Sequence, residues 1–210
     1  MTSKVTISAQ KEIEELVRTH LDHRLTALVS PVFDDANAYR NGRGDISKAA
    51  QEGSYVMLRL FIEFFGVKGQ ENKTQPKWTL EERSKLPKRT PGTDVQKTDL
   101  VLSCFVDGSG NRLQDLTPAD FGNDQAFIAK VHRTLCKINA HFTYDVNEAR
   151  FYDRIASLPR SDLEKAVEIV VSKLDQHFYQ KVGLDIVVHH DLQEQFKKRF
   201  TGVKSNVKSN

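Results

Sequence analysis

The residues with the most chemical potential are histidines and arginines on helical stretches. Arg18, His20, His23 and Arg24 lie close together near the N-terminus, Arg59 stands in a mid-chain apolar run, and Arg133 and His141 share a later one. An imidazole can exchange a proton near neutral pH, and a guanidinium can grip a phosphate or carboxylate with two parallel hydrogen bonds. Together they suffice for acid–base work on an anionic substrate, or for binding alone. Metal chemistry has thinner support. His20 and His23 are spaced to share an ion, and His189-His190-Asp191 is a second ligand source, but neither brings a third ligand at a diagnostic spacing. There is no phosphate-binding glycine loop, serine elbow or paired-cysteine pattern, so no cofactor is called for. Cys104 and Cys136 read as reduced thiols of a cytoplasmic protein.

Helices must position these groups. The periodicity predicts a first helix from Ser8 to Ser30, stopped by Pro31, with Ile13, Leu16, Val17, Leu21, Leu25 and Leu28 on its apolar face. At a regular helical pitch His20 and Arg24 fall inside that face, His20 as a hydrogen-bonded core histidine and Arg24 reaching the rim; His23 lies at its edge. A second helix begins at Asp45 or Ser47 and ends near Gly66. It is apolar nearly all round, as a central helix is, with Arg59 and Glu63 spaced for a solvated ion pair. A third runs from Asn123 towards Tyr144, with Phe127, Val131, Leu135, Ile138 and Phe142 inward and His141 on its flank. A short helix is expected over 145–157. Ser161 and Glu164 form the capping-box pattern of a longer one that stops at Gly183, and Leu192, Phe196 and Phe200 mark a last helix.

Between these elements Lys68 to Lys97 reads as a mobile basic insertion loop, with three prolines and no sustained periodicity. Asp99 to Val106 is a buried extended segment or short helix, and Thr117-Pro118 opens a helical turn. Residues 1–200 form one helical domain and 201–210 a disordered tail. The fold class is all-α, a bundle of four or five main helices with the insertion after the second. A net charge of +3 on 210 residues is too small to argue for nucleic acid by itself. No apolar run approaches the ~20 residues of a membrane helix.

Two phrases go further. Met57-Leu-Arg-Leu-Phe-Ile-Glu-Phe-Phe65 and Asn139-Ala-His-Phe-Thr-Tyr144 together resemble a pair found in uncharacterised bacterial helical proteins similar to the HEPN group. The resemblance spans roughly Gly53 to Tyr144 and implies an all-helical bundle. For active members of that group it implies a ribonuclease that cleaves RNA without metal, using a closely spaced arginine and histidine. Arg59 and His141 are the residues its two phrases supply, and Arg18 with His23 is the pair that has the group's spacing. Two classes of function follow: a non-enzymatic binding or interaction protein, as a homodimer or with a protein or RNA partner, and a metal-independent His/Arg ribonuclease.

Overall fold

The computed structural model describes residues 6–40, 44–83, 100–140, 144–145, 150–151, 158–203 and 205. For 34–40, 44–49, 137–140, 144–145 and 150–151 it describes the backbone alone. The described chain is mostly helical. Helix α1 (Gln10–Leu16) passes through a π-helical turn, Val17–Leu21, into α2 (Asp22–Arg40), and α3 (Gly44–Phe64) packs against α2. Strands β1 (Val67–Glu71) and β2 (Trp78–Glu82) follow, then α4 (Gln125–Ala140) and a short antiparallel pair, β3 (Tyr144–Asp145) and β4 (Arg150–Phe151). Helix α5 (Arg160–Leu174) continues through a second π-turn, Asp175–Tyr179, into α6 (Gln180–Val182). The described chain closes with α7 (Gln193–Arg199).

Apolar spacing explains both π-turns. Ile13, Val17, Leu21 and Leu25 recur every four residues and are all buried, as are Val170, Leu174, Phe178 and Val182. A regular α-helix drifts by about 40° over each such step. One wider turn absorbs the surplus and keeps each series facing the core. The same turn rotates His20, His23 and Arg24 out to solvent, so the expected core position of His20 is corrected. The buried polar residue here is Asp22, at 4% exposure.

Pro31 does not stop the first helix; α2 runs on to Arg40 with the proline inside it. A mid-helix proline disturbs the carbonyls of the preceding turn. Here the Ser54 hydroxyl, fully buried on α3, donates to the Leu28 carbonyl at 2.7 Å. Tertiary packing compensates for what local propensity disfavours.

The insertion read as a loop begins with structure. β1 and β2 form an antiparallel hairpin pairing Val67 with Glu82 and Gly69 with Leu80, and Val67 and Leu80 are buried. The hairpin sits tightly on α4. A Cβ on Gly69 would stand 2.9 Å from the Cα and carbonyl carbon of Ala129, and closer still to its oxygen, so only glycine fits. Residues 84–99, the rest of the expected insertion, lie outside the described residues. The all-α expectation is thus corrected by this hairpin. The helix expected over 145–157 is corrected where β3 and β4 pair, its other residues lying outside the description.

Other expectations are met. Gly66 ends α3 with φ of 83°. Thr117 and Asp120 cap the 3-10 turn Pro118–Asp124 that leads into α4, and Gly183 ends α6 with φ of 71°. Residues Leu102–Cys104 form a buried 3-10 turn. The serine cap at Ser161 is absent. α5 starts two residues earlier, with Pro159 at the N-cap, and Glu164 instead holds Arg160 at 2.7 Å and Arg199 at 3.0 Å, latching α7 to α5. Of the expected tail, Ser205 pairs with Ile186.

An aromatic cluster fills the centre. The Phe178 ring meets Phe105 at 5.0 Å and Phe64 and Tyr179 at 5.4 Å, all edge to face. Such contacts add to the burial of large rings. Phe178→Ala is expected to cost ~3–5 kcal/mol, because it empties a fully buried site. Urea denaturation measures this, and a loss below about 1 kcal/mol would show that Phe178 is not central.

Candidate functional site

Two features meet at Glu63, in the last turn of α3. The first is a cleft of about 430 Å³ between the first π-turn, α3 and the end of β2. Its apolar lining includes Leu21, Phe61, Phe64 and Phe105, all buried. Its polar lining is His20, Arg24, Glu63 and Arg83. Leu60, one turn before Phe64, also lines it and is 43% exposed. Val56, a further turn back, is 38% exposed; these are the two exposed large hydrophobics among the described residues. The periodicity of α3 therefore leaves an apolar strip open beside the cleft.

The second feature is a hub of hydrogen bonds behind it. Glu63 Oε1 accepts from Arg59 Nε at 3.0 Å and lies 3.2 Å from His132 Nε2, and Oε2 lies 4.0 Å from Arg83. The His132 side chain is fully buried on α4. Its Nδ1 accepts the backbone N–H of Gly69 at 3.2 Å, so its proton sits on Nε2 and points at the carboxylate. Burial opposes charge on this ring, while the Cys136 sulfur and the Glu63 carboxylate raise its pKa above the ordinary histidine value. Gly69 sets a limit, since a second proton on Nδ1 would meet its N–H head-on. Glu63 responds more strongly. Burial pushes its carboxyl up, but His132 and Arg59 outweigh that and hold it down at about 2.

Glu63, His132 and Cys136 place ligand atoms within 4.8 Å of one another, as a metal would require. The chemistry of His132 fits a metal poorly. A histidine bound through Nε2 carries its proton on Nδ1 and donates it onward. Here Nδ1 faces a donor. The Cys136 sulfur lies 3.6 and 3.8 Å from the two ring nitrogens, nearly equidistant, and so is off the lone-pair axis of both. The cluster is a structural tie between α3, α4 and β1.

The expected site residues are scattered. Arg59 is turned onto Glu63 in a pair that is joined by His132 rather than solvated. Arg18 donates to Asp22 at 2.8 Å and to the Asp185 carbonyl at 3.1 Å, and Tyr179 donates to the other Asp22 oxygen at 2.9 Å. Burial lifts the Asp22 carboxyl above its usual range despite these partners. Arg18 is thereby committed to joining the first π-turned helix to the segment after α6. His23 is exposed away from the cleft, whereas His20 and Arg24 reach it. Arg133 buries its Nε without a hydrogen-bond partner in the described structure. His189 and His190 flank Asp191 at 3.3 and 3.1 Å on an exposed turn. His141 lies outside the described residues.

The sequence reading missed His132, Asp22 and Tyr179. His132 had a signal, a histidine one residue after Val131 on a strongly amphipathic helix, but the glycine that fixes its tautomer is 63 residues away. No family model matches the chain, and neither a curated protein nor a solved structure matches it significantly.

The hub makes stability depend on acid. Glu63 is depressed in the folded protein, so its contribution is complete above the unfolded value of 4.5 and is lost as pH falls towards about 2. The displacement corresponds to on the order of 3 kcal/mol. Wild type is expected to exceed Glu63→Gln by about that much near neutral pH, with the gap closing as the carboxylate is protonated. Denaturant melts across this range test it; a gap that stays constant down to acid would show that the Glu63 charge contributes nothing.

Proposed function

We propose that this protein is a non-enzymatic binding protein whose ligand occupies the cleft beside Glu63. One observation carries the reading: a concavity of about 430 Å³, largely apolar, where α3 leaves Leu60 exposed at its edge. That volume lies within the range of small-molecule sites, which combine apolar walls with a few convergent polar groups. The arginines first considered for catalysis support binding over reaction. Arg18 and Arg59 each already hold a carboxylate, so neither guanidinium stands ready for a phosphate.

The experiment uses Nile red, a neutral dye that brightens in apolar sites. The protein is expected to bind it saturably, and Leu60→Glu is expected to weaken binding about tenfold or more while leaving the thermal melt in place, because Leu60 is exposed. Binding unaffected by Leu60→Glu would remove the cleft as the site. The ribonuclease alternative is tested with single-stranded RNA in chelator, where cleavage lost in His141→Ala would replace the binding reading.

A further inference from the structure

The cleft has a charge as well as a shape. Two of its polar residues, His20 and Arg24, have no hydrogen-bond or ion-pair partner among the described residues, and both are exposed. Arg83 adds a second guanidinium. Among the described residues the one acid in the lining is Glu63, and its charge is already engaged. Oε1 takes Arg59 and His132, and Oε2 faces Arg83. With Glu63 ionised and held by Arg59 and His132, the Arg24 guanidinium remains as the charge presented to the cleft by the described residues. His20 offers an N–H donor in either protonation state. The apolar walls at Leu60, Phe61, Phe64 and Phe105 are continuous with this cationic edge.

The geometry points to an amphipathic anion as the ligand: an alkyl or aryl body against the phenylalanines and Leu60, with a carboxylate or phosphate head at Arg24 and His20. This rests on the binding reading above and adds the chemical class. A charge-assisted hydrogen bond from a guanidinium is roughly twice as strong as a neutral one, so the head group should dominate discrimination between ligands of equal chain length. Arg24 acts by touching the ligand, and its exposure means that replacing it leaves the core intact.

The test is displacement of Nile red by decanoate, decyl phosphate, decanol and decylammonium, which share a tail and differ in the head. One of the two anions is expected to displace the dye at about tenfold lower concentration than decanol, and decylammonium is expected to be weaker than decanol. The better anion identifies the head group. Arg24→Glu is expected to weaken the anion about tenfold and leave decanol unchanged. His23→Glu, a charge change on the neighbouring exposed surface outside the cleft, is expected to leave the anion unaffected. Equal displacement by all four would overturn the anionic class while leaving the binding reading standing. Anion affinity unchanged in Arg24→Glu, or lost equally in His23→Glu, would also overturn it. Failure of Nile red itself to bind would overturn the binding reading first.

Discussion

One carboxylate holds the centre of this molecule together. Glu63 lies in the last turn of α3, and its Oε1 is the meeting point of Arg59 from the same helix and His132 from α4. Through His132 the contact passes to the backbone N–H of Gly69, and so to the hairpin. A buried ionised group is tolerated only where partners replace the water it loses. Here the replacement comes from three separate elements, and that fixes their relative positions. The close approach at Gly69 belongs to the same constraint. The hairpin must lie near enough to α4 for its N–H to reach His132, and a side chain at 69 would hold it away.

A second tie joins the two π-turned helices. Two helices carry apolar residues at uniform four-residue steps, and each takes a π-turn to keep them inward. The turns are joined by the hydrogen bond from Tyr179, the last residue of one, to Asp22, directly after the other. Arg18 closes the arrangement. Asp22 and Tyr179 are buried, so either left unmatched would carry a full desolvation cost. The pairing therefore fixes which face of each helix turns inward. It also places His20 and Arg24 on the cleft, since both follow from where the first π-turn widens.

Much of the helical layout was legible from periodicity alone. Phe61, Phe64, Val131, Leu135, Leu163, Val167, Val170 and Phe196 are all buried, as their spacing implies. The helical run from α5 to Gly183 was legible from a glycine stop, and the 3-10 turn ahead of α4 from Thr117-Pro118. What could not be read depended on contacts between distant segments. Pro31 looks like a stop until Ser54 supplies a hydrogen bond from another helix. His20 looks buried until the helix widens, because a fixed pitch of 100° per residue has no place for a π-turn. Lys68 to Glu82 looks like a loop because its strands are short and polar, and their stability comes from pairing with each other and packing on α4. The site was legible only in its parts. Arg24 and His20 were singled out, while their relation to Glu63 depends on tertiary packing that spacing does not encode.

The two features of Glu63 are consistent with a single purpose. A carboxylate lining a cleft would ordinarily repel an anion and would change charge as the surroundings acidified. Glu63 is bound on the side away from the cleft by a guanidinium and an imidazole N–H, and these hold it ionised down to about 2. Its charge is therefore fixed across the neutral range and largely compensated within the protein. Arg24 and His20 lie on the cleft itself and take no part in this compensation. The residue that organises the fold is thus withdrawn electrostatically from the cavity it borders, and the proposed ligand would meet Arg24 and His20, exposed side chains that the core does not use.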